Sequence, residues 1–174
     1  MSAPIAVELH RPFAVERVGG AGREQVVEAS AAECAALAKR LNIPAVLSLR
    51  CTFRLTLESG GVVLAEGALE ARLVRDCVVS LEPFETAVAE RFRLRFVPAE
   101  LLAEADEDAL LDPDADDEIP YDGAAIDLGE AAAEQLALAM DPYPRRPGAA
   151  LPDEASEAAE SPFAALSRLR REEH

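Results

Sequence analysis

The sequence predicts an α+β fold: an antiparallel, barrel-like sheet with flanking helices and a flexible acidic C-terminal region. Three observations carry this. Apolar and polar residues alternate strictly from Leu47 to Glu58, the period of a strand with one buried face. A second alternation runs from Glu85 to Val97, with Val88, Phe92, Leu94 and Phe96 on one side and Arg91, Arg93 and Arg95 on the other. Two Ala-rich stretches, each preceded by a capping residue, have the composition of helices.

Taken in chain order, Ile5 to Leu9 and Phe13 to Val18 read as short strands, Gly19 to Gly22 as a turn and Gln25 to Glu28 as another strand. Ser30 followed by Glu33 is a capping box, and the run through Leu37, Ala38 and Leu41 forms a helix that Asn42 and Pro44 stop. In the next strand Leu47, Leu49, Cys51, Phe53, Leu55 and Leu57 face one way, while Ser48, Arg50, Thr52, Arg54, Thr56 and Glu58 face the other. Ser59-Gly60-Gly61 turns the chain into Val62 to Val74, whose pattern is less clean, so the second arm of this hairpin is expected to be irregular. After the Arg-rich strand, Asp127 stands as the N-cap of a helix through Leu128, Ala132, Gln135, Leu136 and Ala139, ending near Met140. Pro142, Pro144 and Pro147 forbid its continuation. Ser161-Pro162 restarts a short helix with Phe163, Leu166 and Leu169 as an apolar stripe beside Arg168, Arg170 and Arg171.

This organisation corresponds to one domain over residues 1–144, including an acidic loop at about 104–122, then a polar linker over 145–160 and a C-terminal helical motif over 161–174. The formal charge of −16 is unevenly spread: residues 1–97 hold 12 basic and 12 acidic side chains, residues 98–174 hold 5 and 21. Between Asp106 and Asp122 lie nine carboxylates and no cation, a density that favours a solvated, self-repelling loop. Bulk attraction to nucleic acid is excluded for such a chain, so RNA contact needs a local patch. Neither a basic leader nor a run of about 18 apolar residues occurs, and a cytoplasmic location is expected. Cys34, Cys51 and Cys77 are odd in number and widely spaced, which argues against a disulfide framework and for apolar filling.

No pattern of residues points to catalysis. The histidines are His10 and the terminal His174, and neither stands where a positioned base would be expected. Asp112, Asp114 and Asp116 have the first, third and fifth spacing of a calcium loop, but Asp117 occupies the position of the turn Gly and Gly123 that of the bidentate Glu. Asp112, Asp114, Asp116, Asp117 and Glu118 are read instead as a solvated surface for a basic partner. Arg91, Arg93 and Arg95 form the one concentrated cationic row, roughly 7 Å from one to the next on a strand, with Arg50 and Arg54 extending it if their strand is a neighbour. Two readings of this row compete: contact with successive phosphates, or cross-strand pairing with acids such as Glu66 and Glu70. Phe163, Leu166 and Leu169 either dock on the domain or await a partner.

Three blocks resemble the YceD family, named for large ribosomal RNA subunit accumulation. The first is Cys77-Val78-Val79-Ser80-Leu81-Glu82-Pro83-Phe84, where many relatives have Cys-x-x-Cys followed by Leu-Glu-Pro-Phe; the second is Ile126-Asp127-Leu128 leading through Glu134, Leu136 and Leu138 to Pro142 and Pro144; the third is Ser161-Pro162-Phe163-Ala164-Ala165-Leu166 with its basic finish. Ser80 takes the place of the second cysteine, so neither zinc nor a disulfide is expected here. The resemblance implies a non-enzymatic factor, without cofactor, needed for accumulation, processing or assembly of large-subunit (23S) rRNA. Its expected partners are that rRNA or its precursor particle and a basic ribosomal protein, not membrane or DNA. On that reading the Arg row touches rRNA and the acidic loop engages the ribosomal protein; the alternative is an acidic chaperone for such a protein without RNA contact.

Overall fold

In the computed structural model, which describes residues 7–103 and 116–150, the two alternating stretches become long strands of an open sheet. The strands are β1 (Pro12–Ala14), β2 (Arg23–Glu28), β3 (Ala45–Leu57), β4 (Val63–Asp76), β5 (Pro83–Pro98), β6 (Asp117–Tyr121) and β7 (Ala125–Asp127). The helices are α1 (Ala31–Arg40), α2 (Ala99–Ala103) and α3 (Leu128–Ala139). The main sheet has the order β2-β3-β4-β5-β6, and β1 pairs with β7 in a separate antiparallel ribbon. No helix among the described residues is long and apolar enough to cross a membrane.

Two expectations about the sheet are corrected. It is not closed into a barrel among the described residues, because helices rather than further strands cover its apolar face: Leu37 of α1 and Leu128, Ala132 and Leu136 of α3 share one core with Phe53, Leu69, Leu94 and Phe96. Nor is it wholly antiparallel, since β6 runs parallel to β5 from Leu94 to Pro98. β6 lies in what was expected to be a solvated acidic loop. Ile119 and Tyr121 pack against the core, and Tyr121 donates its hydroxyl to the Gly61 carbonyl at 2.6 Å.

Within β3 the inward residues are Leu49, Cys51, Phe53 and Leu55, as the alternation requires. Leu47 was expected among them but is exposed. The β3–β4 register shifts between Val46 and Ser48, so Val46 points inward and Leu47 outward, the effect of one extra residue at a bulge. β4 is more regular than expected, with Val63, Ala65, Gly67, Leu69, Ala71 and Leu73 all turned inward. Its alternation is hidden because several inward positions are small and some outward ones apolar. Gly67 has a specific reason: a Cβ there would lie 2.1 Å from the Phe92 ring, which closes over the glycine and meets Phe53 edge-on at 5.8 Å.

The chain near Phe13 forms only the short β1 before turning through Val15–Arg17, and Val7–Leu9 is not a strand. Of that expected strand, Ile5 to Leu9, residues 5 and 6 lie outside the described residues. Leu9 is buried beside α3, where its carbonyl oxygen would be 2.3 Å from a Cβ on Gly129. Both predicted caps are present. Ser30 and Glu33 complete the capping box of α1, and the Asp127 side chain accepts from the N–H groups of Gly129 and Glu130.

The helices are tied together by charge as well as by packing. Asp127 Oδ1 also accepts the Arg11 N–H at 2.9 Å, and its other oxygen meets His10. The Arg11 guanidinium grips Glu33 of α1 with two bonds of 2.7 and 2.9 Å. Arg40 of α1 reaches Glu130 of α3 at 2.6 Å and Glu8 at 3.1 Å. The Arg11 hydrogen bond, reinforced by the Ser30 N–H, lowers the Glu33 carboxyl from its usual 4.5 to about 2.

Two predictions follow from these contacts. Gly129→Ala meets backbone rather than a movable side chain, so it is expected to cost about 2 kcal/mol or more in chemical denaturation. Because the folded pKa of Glu33 lies below its unfolded value, its stabilisation is present above about pH 4.5 and is lost as pH falls toward 2. Glu33→Gln is therefore expected to flatten the acid limb of the stability profile across that window.

Candidate functional site

The arginines expected to form a cationic row do share the sheet face away from the helices, but they stand among carboxylates. Across the strands the register sets Glu24 opposite Arg54, Arg54 opposite Glu66 and Glu66 opposite Arg93, making an alternating row of charge. Arg93 reaches Asp116 at 3.3 Å. Arg95 lies between Glu118 at 3.0 Å and Glu58 at 3.5 Å. Arg50, flanked by Glu28 and Glu70 in the register, pairs with Glu28 at 3.3 Å. Arg54 and Arg91 make no ion pair with the described residues. Such exposed pairs contribute little to stability, typically below about 1 kcal/mol each, but they largely neutralise the face. An open cavity of about 540 Å³ lies at its margin, lined by Glu66, Gly67, Arg91, Phe92, Arg93 and Asp116.

The acidic residues divide accordingly. Asp116 and Glu118 are partners of the Arg row, Asp117 opens β6, and Asp112 and Asp114 lie outside the described residues, as do Phe163, Leu166 and Leu169. The register with Glu66 and Glu70 is the cross-strand reading the sequence offered, whereas the pairing with Asp116 and Glu118 was not foreseen, because β6 reaches β5 through a parallel, non-hairpin connection that leaves no local turn signal.

A second constellation lies where β4 passes into β5. Cys77 is fully buried at the base of a tight turn; its N–H donates to the Glu82 carbonyl at 3.0 Å, and the Leu81 N–H returns to the Cys77 carbonyl at 2.8 Å. Leu81 adopts a left-handed φ of 57° and projects into solvent. Against this turn lies the segment leaving α3. The Val78 N–H donates to the Pro144 carbonyl at 2.9 Å, the Arg146 N–H approaches Cys77 Sγ at 3.4 Å, and the Arg146 guanidinium pairs with Glu82 at 2.7 Å. Ahead of Pro144, the Tyr143 N–H donates to Asp141, which shapes the chain after Pro142. Pro83 and Phe84 then open β5.

Cys77 is thus more than an apolar filler. The N–H of Arg146, then the hydroxyl and N–H of Ser80, lower its thiol pKa from the ordinary value. Cys34 and Cys51 fit the filler expectation; burial raises both, Cys51 to about 12. All three thiols are free. Arg146 was missed in the sequence, where nothing periodic marks it.

A family model described as large ribosomal RNA subunit accumulation protein YceD matches residues 65–170, more than half of the chain. The chain belongs to the YceD family. No curated protein and no solved structure matched it. In the structure the blocks at Cys77–Phe84 and Ile126–Pro144 form one unit: the first supplies the turn, the second caps α3 and returns its exit onto that turn. The YceD name links the family to large-subunit rRNA accumulation.

Cys77→Ala would leave the Arg146 and Ser80 N–H groups without their sulfur acceptor. A loss of about 1 to 3 kcal/mol is expected, with faster amide hydrogen exchange at Val78 and Arg146 than in β3 or β4.

Proposed function

We propose that this protein is a non-enzymatic, cytoplasmic factor of large-subunit biogenesis that binds a component of the precursor particle and so supports accumulation of 23S rRNA. The family match over residues 65–170 carries this reading. Between the two modes of contact, a basic large-subunit ribosomal protein is favoured over rRNA. The observation that supports this preference is the interleaving of Arg50, Arg93 and Arg95 with Glu28, Asp116, Glu58 and Glu118. Phosphates would have to displace these carboxylates, and the charge of −16 would oppose their approach. A cationic protein meets neither obstacle, and the acidic region from Asp106 to Asp122 offers it further carboxylates.

Depletion of the protein from cells is expected to lower the ratio of large- to small-subunit rRNA and to accumulate precursor particles on a sucrose gradient. An unchanged ratio and profile would remove the biogenesis role. Filter binding to rRNA at rising salt separates the two modes. The protein mode predicts weak RNA retention with a shallow salt dependence, whereas a log–log slope of about −3 or steeper would assign Arg91, Arg93, Arg95, Arg50 and Arg54 to RNA phosphates.

A further inference from the structure

The two edges of the main sheet are built differently. β2, at one edge, is short, carries Arg23, Glu24 and Glu28, and leads directly into α1. At the other side β5 spans Pro83–Pro98, but β6 covers only Leu94–Pro98. The outer edge of residues 84–93 therefore has no strand beside it among the described residues, and none of its backbone groups finds another described partner. Its pairing with β4 runs without a register shift, and no proline interrupts it. Exposed edges in soluble proteins are usually shortened, bulged or covered, because a straight one templates another strand. Among the described residues this stretch, roughly 30 Å long at strand rise, is neither shortened, bulged nor covered.

Its sequence is self-complementary. If two copies of the strand pair antiparallel about a twofold axis, a residue and its opposite number must share the same side of the pleat, so allowed registers centre on a single residue. Centred on Val88, the order Phe84-Glu85-Thr86-Ala87-Val88-Ala89-Glu90-Arg91-Phe92 sets Phe84 opposite Phe92 and Glu85 opposite Arg91, each twice by symmetry. Centring on Ala89 instead places Arg91 opposite Ala87 and Phe92 opposite Thr86, and centring on Glu90 opposes two carboxylates. Aromatic and opposite-charge cross-strand pairs are the stabilising combinations in sheets. The side chains are available for them. Phe84 and Phe92 are half-buried, Glu85 and Arg91 exposed, and Arg91 has no ion-pair partner among the described residues. Glu85 already meets Arg72 at 2.6 Å and would then lie between two guanidinium groups.

We propose that the open edge of β5 is a homodimer interface, where a second copy of this chain pairs antiparallel through residues 84–92 about an axis at Val88, joining the two main sheets into one. This goes beyond the biogenesis role and does not depend on it. Sedimentation velocity of the full chain over a concentration series is the test. A monomer–dimer equilibrium is expected in the wild type. Glu85→Arg and Arg91→Glu each place like charges opposite one another at two symmetric positions, so each is expected to weaken dimerisation roughly tenfold or more. The double variant E85R/R91E restores opposite charges and should recover most of the loss, with circular dichroism unchanged in all three.

A wild type that stays monomeric at every concentration would overturn the proposal, as would single variants that dimerise like the wild type. A double variant that remains monomeric while folded overturns the Val88 register and the proposal with it. A chain that dimerises only after removal of residues 151–174 would assign the edge to its own C-terminal region instead, which also overturns it.

Discussion

The Asp127 carboxylate is the contact on which the arrangement of helices over sheet depends. One oxygen caps α3 through Gly129 and Glu130 and takes the Arg11 N–H, while the other meets His10. Arg11 then carries the connection to Glu33, which is itself half of the α1 capping box. A cap ordinarily contributes about 1 kcal/mol by satisfying orphan N–H groups. Here the same atoms also fix the approach of the N-terminal segment to α3, and Gly129 permits that approach by having no side chain. Burial opposes ionisation of Asp127, yet the converging donors outweigh it and keep the carboxyl below its usual pKa. The junction thus links both helix starts and the β1–β7 ribbon through one buried-edge charge.

The two faces of the sheet follow opposite rules. Inward, small and large residues are matched across the strands, so that Gly67 of β4 leaves room for Phe92 of β5 and Phe53 of β3 closes the gap from the other side. Outward, acids and arginines alternate from strand to strand. The wet face is consequently nearly neutral, although the excess acid of the sequence falls in residues 98–174.

The contact between the family blocks gives Cys77 a structural role. Its sulfur receives N–H groups from Ser80 and from Arg146, binding the turn to the exit of α3. Ser80 contributes to that same environment through its N–H and hydroxyl, so the departure from a cysteine pair leaves the turn with a working hydrogen-bond set. Among the described residues no group of three potential ligands gathers there.

The sequence by itself determined the elements whose signals are local. Alternation identified β3 and β5, since burial on one face imposes a period of two. Ser30 with Glu33 and Asp127 with the N–H groups after it marked two helix starts, because caps act within three residues. The spacing of the family blocks identified the family. Tertiary structure decided what depends on residues far apart in the chain. The bulge that expels Leu47, the small inward residues that concealed the regularity of β4, the parallel seat of β6 and the carboxylates brought to Arg93 and Arg95 are all set by neighbouring strands. The face assigned to the arginines and their cross-strand acids Glu66 and Glu70 were legible, while the added carboxylates of Asp116 and Glu118 were not, because the field around a charge depends on every residue the fold brings near it.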